Sequence, residues 1–95
     1  MKEGDRIGAI VDQDGDTVRL LGYGVYLGEE VPSADAGGFA EIVRAMKTPN
    51  PKMQLDNGDI VWGCECWWAS EEEIRKTVSE CKNVENVRIA DMRRE

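Results

Sequence analysis

The sequence predicts an α+β fold in which a small, strongly bent antiparallel sheet of the SH3-like barrel type carries two short helices. Short β-branched and apolar runs flank two tight turn signals, Asp-Gly at 14–15 and Asn-Gly at 57–58. Glycines alternate along residues 22–28, and such spacing permits a strand to coil sharply. Two later segments have the apolar spacing of short amphipathic helices.

The first half of the chain predicts three strands, a loop and a helix. Residues 6–11 and 17–21 form the arms of a hairpin around an acidic turn, and residues 22–28 form the next strand. A loop with Pro and Gly follows at 29–38. Apolar residues at i, i+3, i+4 and i+7 predict a helix over 39–46, which a Pro-rich stretch ends.

The second half predicts a hairpin, a helix and a last strand. A strand at 52–55 turns at Asn-Gly into a return strand from Ile60 to Trp68. Alternation along that strand puts one set of side chains on the core face: Ile60, Trp62, Cys64, Cys66 and Trp68. Ser70 and Glu73 form a capping box for the second helix. A strand at 84–89 and a charged tail at 91–95 complete the chain.

Composition restricts the function. The 95 residues predict one domain spanning 1–95, and the 41% of apolar residues predicts a folded core. Nineteen acidic residues against twelve basic ones give a net charge of −7, most of it within residues 1–37, so direct nucleic-acid binding is not expected. Because histidine is absent, Ser-His-Asp and Cys-His catalysis are excluded, and we expect no enzyme activity.

The sequence predicts a cytoplasmic location. The N-terminal residues lack the apolar stretch of a secretion signal, and no apolar run approaches the roughly 20 residues that span a membrane. Three cysteines are an odd number, which fits reduced thiols better than a secreted disulfide framework.

Two motifs resemble metal sites but favour structural interpretations. Asp12-x-Asp14-Gly15-Asp16 begins like a calcium loop, yet Thr17 occupies the position where that loop requires glycine, so a hairpin turn is favoured. The thiols of Cys64, Cys66 and Cys81 lack a fourth zinc ligand, and buried core thiols are favoured over a metal or redox role. We therefore expect no metal and no cofactor.

The three tryptophans are the strongest indication of function. Alternation places Trp67 with Glu65 on the face opposite Trp62 and Trp68, where an exposed ring would anchor a partner. Filling a thin core is the alternative role for the group. We predict one set of binding residues, which combines aromatic anchors with the acidic turn: Trp67, Glu65, Tyr23, Tyr26, Asp12, Asp14 and Asp16.

Several stretches together resemble a group of small uncharacterised phage and prophage proteins. They are Gly4–Gly8, Leu21–Tyr26, Asn50–Lys52 and Leu55–Gly58, followed by the Trp-Gly-Cys-Glu-Cys-Trp-Trp block at 62–68. No functional residue is carried over from this group. The resemblance implies an accessory phage protein that acts on host machinery.

Composition and resemblance together predict a non-enzymatic, acidic binding module that modulates or inhibits a host protein with a basic surface, such as a defence or nucleic-acid-binding protein. The alternative is a protein that sequesters a nucleotide at the interface of a homo-oligomer, using the aromatic rings and nearby cations: Arg6, Arg19, Arg44 and Lys47. An enzyme using its cysteines or carboxylates is a third candidate.

Overall fold

A computed structural model describes residues 1–31, 47 and 49–94. It contains six strands, namely β1 (Arg6–Asp14), β2 (Thr17–Glu30), β3 (Asn50–Leu55), β4 (Ile60–Trp62), β5 (Trp67–Ser70) and β6 (Asn83–Asn86). Two helices, α1 (Glu71–Ser79) and α2 (Ile89–Arg93), and a 3-10 turn at Gly63–Glu65 complete the described part. The predicted α+β class is confirmed. The helix predicted at 39–46 lies outside the described residues.

The six strands form one mostly antiparallel sheet. The order is β4-β3-β2-β1-β5, and β6 pairs in parallel with the first four residues of β2. Among the described residues β4 and β5 are the two edges of this order and do not pair with each other. The sheet is therefore open, and the predicted SH3-like barrel is not confirmed.

Strand β2 is the longest strand and has an irregular register. It merges the two strands predicted at 17–21 and 22–28 into fourteen continuous residues, with irregular register against both neighbours. Gly22 and Gly28 have φ values of 137° and 100°, a region that side chains disfavour. Gly24 allows β3 to approach closely, because a Cβ there would lie 2.0 Å from the Gln54 carbonyl oxygen. The alternating glycines thus permit the predicted coiling.

Apolar side chains pack on both faces of the sheet. The larger cluster includes α2 and consists of Ile7, Ala9, Leu21, Met53, Leu55, Val61 and Ile89. The smaller cluster brings α1 against the sheet and consists of Ile10, Val18, Leu20 and Ile74. Because Ile10 follows Ala9 in β1, neighbouring side chains belong to opposite faces, as strand geometry requires.

Helix α1 begins as the sequence predicts. The Ser70 hydroxyl accepts a hydrogen bond from the Glu73 amide at 3.3 Å, and Ile74 is the buried residue of the helix. Glu71 and Arg75, one turn apart, form an ion pair at 2.7 Å. No helix in the described part of the chain has the length and apolar character to cross a membrane.

The single return strand predicted from Ile60 to Trp68 is wrong. The strand stops at Trp62, turns through the 3-10 segment and resumes as β5, which pairs with β1. Two hydrogen bonds stabilise the turn, from the Trp62 amide to Glu65 at 3.1 Å and from the Cys64 amide to the Asn50 side chain at 2.8 Å. Cys64 and Cys66 therefore do not share a strand face.

The last strand is also shorter than predicted. Strand β6 ends at Asn86, and the predicted tail at 91–95 includes most of α2, which begins at Ile89. The Val87 amide still donates to the Leu20 carbonyl at 2.9 Å, which extends the contact with β2. Ile89 is then buried in the larger cluster, so this part of the chain is packed against the sheet.

Candidate functional site

Trp67 is the most exposed large apolar side chain of the described residues, at 73%. It begins β5 and lies opposite Ile10 of β1. The other two tryptophans are used within the fold, because Trp62 is 2% exposed and the Trp68 ring stacks on Tyr26 at 5.7 Å. Trp67 is therefore the exposed ring of the three, and the half-buried Trp68 lines the clefts beside it.

Two shallow clefts flank the Trp67 ring. One, of about 520 Å³, is lined by the apolar side chains of Ile10, Trp68, Ala69 and Ile74 and by the polar side chains of Asp12, Gln13 and Thr77. The other, of about 490 Å³, lies between Val11 and the segment from Gly63 to Trp68. Trp67 and Trp68 line both clefts, one of which includes Val11 and the other Ile10.

Both clefts border a stretch of β1 that lacks a second strand neighbour. Strand β5 pairs with β1 only over Ile7–Ile10, whereas β2 pairs with β1 as far as Asp14. Among the described residues no strand therefore pairs with Val11–Asp14 on the side away from β2. This open edge continues the line of β5 beyond Trp67.

The acidic turn is partly neutralised within the chain. The Asp12 carboxylate accepts two hydrogen bonds from Arg19, at 2.6 and 2.8 Å, and this pairing lowers the pKa of Asp12. Asp16 lies 3.8 Å from the Lys82 ammonium. Asp14 has no ion-pair or hydrogen-bond partner among the described residues, and it lines a polar cleft of about 420 Å³ with Glu85. Asp14 and Glu85 are therefore two carboxylates that could attract a cation, in a cleft that Arg19 also lines.

The Glu65 carboxylate is engaged inside the protein. It is 6% exposed and accepts two hydrogen bonds from Arg93, at 2.7 and 2.8 Å, besides the one from the Trp62 amide. Its position fixes the 3-10 turn that precedes Trp67. Glu65 thus acts on the candidate surface by positioning this turn.

The two tyrosines also lie away from the Trp67 clefts. The Arg75 guanidinium lies 4.0 Å from the centre of the Tyr23 ring, and Tyr26 stacks on Trp68. Tyr23 packs with the smaller core cluster and Tyr26 with the larger one, on opposite faces of the sheet. The structure therefore does not bring them together with Trp67.

The cysteine thiols pack against apolar groups and form no disulfide. Cys66 contacts the larger cluster, Cys81 the smaller one, and Cys64 packs against Trp62. Burial and the nearby Glu65 charge raise the pKa of Cys66 to about 12 and also raise that of Cys64. Thiols held in the neutral form are poor nucleophiles and metal ligands. No group of metal-ligating side chains is found within the described residues.

Sequence reasoning missed the part of β1 that borders the Trp67 clefts. Val11 was expected to end the first strand, and Gln13 was assigned to the turn. The strand runs on to Asp14 because the turn is tight, with Gly15 at a φ of 59°. The Asp-Gly pair is the one local signal that could have extended the strand.

Comparisons with known proteins add nothing to this geometry. No protein-family model, curated protein or solved structure matches the chain. The resemblance of the 62–68 block to small phage proteins stays a prediction.

Proposed function

We propose that this protein is a non-enzymatic binding module that uses the surface around Trp67 to bind a basic region of another protein and modulate or inhibit it. One observation carries the proposal. A tryptophan that is 73% exposed lies between two clefts, although the same chain buries one of its other tryptophans and stacks the other. Exposed tryptophans beside clefts are typical anchors of protein interfaces.

The charge distribution supports a basic partner. Every described arginine is within 4 Å of a carboxylate; the six are Arg6, Arg19, Arg75, Arg88, Arg93 and Arg94. Their charges are largely compensated locally, so the excess of −7 resides in unpaired carboxylates such as Asp14 and Glu85. A negative field of this kind steers basic partners and raises their association rate.

The nucleotide alternative receives less support. Arg6 is bound by Asp56 and Glu71, and Arg19 is bound by Asp12, so neither cation is ready for a phosphate. Lys47 is exposed, whereas Arg44 lies outside the described residues. Neither Tyr23 nor Tyr26 borders the Trp67 clefts, so the two tyrosines of this hypothesis could not stack on a base there.

The resemblance to phage proteins supports a partner in the host, with a defence or nucleic-acid-binding protein as the concrete candidate and the host cytoplasm as the place of action. We also propose that the open sheet is SH3-like. The support is the order of its strands, in which β1 to β4 follow one another and β5 returns to β1 after a 3-10 turn.

Affinity capture with matched baits tests the function. The baits are the wild-type chain, Trp67→Ala, and Val84→Ala as a control that truncates another exposed apolar side chain, on β6. We expect the wild type and Val84→Ala to retain the same basic host protein. Trp67→Ala should retain about one tenth as much or less, since a central aromatic anchor carries about 2 kcal/mol or more.

Salt and direct titration complete this test. Binding of the purified partner should weaken as salt rises from about 0.05 M to about 0.5 M, because the attraction is electrostatic. Equal capture by the wild type and Trp67→Ala, or binding that does not change with salt, would contradict the proposal. Quenching of tryptophan fluorescence by nucleotides, without capture of a protein, would favour the alternative.

A further inference from the structure

We propose that the partner inserts an extended basic segment that pairs as an added strand with Val11–Asp14 of β1, under the Trp67 ring. This inference rests on the proposed binding function and specifies how the partner is held. It names a backbone interaction in addition to the side-chain anchor.

The first support is the unpaired backbone of β1. Strand β1 has nine residues, of which β5 pairs with four. Asp12, Gln13 and Asp14 pair with β2 on the inner side, and Val11 lies at a register shift without a partner in β2, so the outer edge is ordered from Asp12 to Asp14. An ordered edge of this kind is a template for a further strand, and main-chain hydrogen bonds then supply affinity.

The second support is the space beside that edge. Strand β5 begins at Trp67 and pairs with β1. The preceding 3-10 turn, Gly63–Glu65, does not pair with β1. The cleft of about 490 Å³ between Val11 and this turn opens onto the unpaired stretch. Four residues of an added strand would span about 13 Å along the edge.

The third support is the chemistry on each side of the edge. Side chains of an added strand alternate between faces, so one set would meet the apolar cleft formed by Ile10, Ile74 and Trp67. At the end of β1 lies the carboxylate of Asp14, whereas Glu85 lies on β6, across β2 from the open edge. An apolar residue would fill the cleft, and a lysine or arginine would reach the Asp14 carboxylate or stack on Trp67. The surface therefore fits a segment that alternates basic and apolar residues.

Charge distinguishes this occupant from a second copy of the chain. Two copies would each bring a net charge of −7 to the interface, and their Asp14 side chains at the edge would add repulsion. A basic segment gains from the same charges. We therefore assign the edge to another protein.

The test uses the full-length chain and synthetic peptides. The probe is a blocked seven-residue peptide of alternating lysine and valine, and the charge control replaces each lysine with glutamate. Two further versions carry N-methyl groups on the odd or on the even residues, which removes amide donors from one edge of the strand at a time. Amide hydrogen exchange by NMR reports protection of each β1 residue.

We expect the lysine peptide to slow exchange of amides within Val11–Asp14 about tenfold or more, and the glutamate peptide to have no effect. One N-methylated peptide should lose binding, whereas the other should retain it, since only one edge is used. Trp67→Ala should weaken binding about tenfold, whereas Val84→Ala should not.

Three outcomes would overturn the strand inference. They are equal binding of both N-methylated peptides, Trp67-dependent binding without protection of Val11–Asp14, and protection that rises with protein concentration in the absence of peptide, which would indicate a second copy. None of these outcomes decides whether the protein binds a partner, because the capture experiment tests that function separately. Trp67-dependent capture of a partner that leaves β1 unprotected would retain the function and reject its mode.

Discussion

The seven-residue block at 62–68 connects the two edge strands of the sheet, of which one is covered and the other is open. At the β4 edge Trp62 is 2% exposed, the Lys52 ammonium lies 5.6 Å from the centre of its ring, and Arg93 of α2 donates to the Ile60 carbonyl at 3.0 Å. At the β5 edge Trp67 is 73% exposed. The edges differ because α2 contributes a side chain, Arg93, that covers a backbone group of β4.

Proteins usually protect sheet edges, because exposed backbone groups pair with other chains. The β4 edge follows this rule, with three residues only and a guanidinium on its carbonyl. The β5 edge and the adjoining part of β1 do not have such cover among the described residues. An exposed aromatic ring at an uncovered edge is better explained by recognition than by stability.

Replacing Trp62 or Trp67 with alanine should give the largest difference in stability between the two edges. Trp62→Ala removes a buried ring and should lower the free energy of unfolding by about 3–5 kcal/mol. Trp67→Ala should lower it by less than about 1 kcal/mol, because the ring is mostly in water already. Urea denaturation followed by circular dichroism measures both. Similar losses for the two variants would show that Trp67 is structural.

Removing the guanidinium that covers the β4 edge should have the second largest effect. Arg93→Met leaves the Glu65 carboxylate, 6% exposed, without its two hydrogen bonds. We expect a loss of about 2 kcal/mol, less than for a fully buried pair because the Arg93 side chain is 22% exposed. The Ile60 carbonyl also loses a donor, so self-association at high concentration should increase.

The neighbouring arginine provides the control for this variant. Arg94 is paired with Asp91 and its side chain is 76% exposed, so Arg94→Met should change the unfolding free energy by less than about 0.5 kcal/mol. The double variant Glu65→Gln, Arg93→Met should regain part of the loss, because no charge is then left unpaired. Sedimentation velocity measures the self-association. If the Arg93→Met variant stays monomeric and is as stable as the wild type, Arg93 does not protect the β4 edge.

Local sequence patterns predicted the elements whose determinants are local. The Asp-Gly hairpin, the Ser70 cap and the helical spacing of α1 each depend on neighbouring residues, and each is present. The break after Trp62 was missed because Gly63 and Glu65 fit the period of a strand. It depends on distant contacts, including Asn50, whose side chain accepts from the Cys64 amide, and Pro51, against which Gly63 packs.

The candidate site was predictable in part for the same reason. Alternation separated Trp67 from Trp62, and this separation persists although the strand between them is broken. The carboxylates were harder to assess, because ion pairing joins residues far apart in the chain, as in Glu65 with Arg93. Sequence alone shows which charges exist, whereas the fold shows that Glu65 is paired and that Asp14 has no partner among the residues the structure describes.

Acid should weaken the ion pairs that Arg6 of β1 forms with Asp56 and Glu71. Arg6 binds Asp56 at 2.7–2.8 Å and Glu71 at 2.7 Å, and these pairs lower the pKa of both carboxyl groups. Unfolded Asp and Glu titrate near 3.9 and 4.3, so the pairs stabilise the fold above about pH 4–5. That stabilisation is lost as the pH falls through the lowered values of the folded state.

Denaturant unfolding between pH 6 and pH 2.5 measures this effect against Arg6→Met. The wild type should be the more stable protein at pH 6. The difference in unfolding free energy between the two proteins should shrink below about pH 4, because both carboxylates then gain protons; the unfolded Asp and Glu groups titrate near 3.9 and 4.3. The effect should be modest, since the Arg6 side chain is 44% exposed. A difference that stays constant down to pH 2.5 would mean that Arg6 acts through packing.

The smallest expected effect concerns the charge at the open edge. Asp14→Asn should slow association of the lysine–valine peptide about twofold at low salt, with little change in dissociation, because an exposed carboxylate steers the encounter. Asp16→Asn is the matched control on the same turn, since Lys82 lies 3.8 Å from that carboxylate and already offsets it. Stopped-flow fluorescence measures both rates. An equal slowing by the two variants would mean that net charge alone drives association, whereas a larger effect at Asp14 places the attraction at the edge beside Trp67.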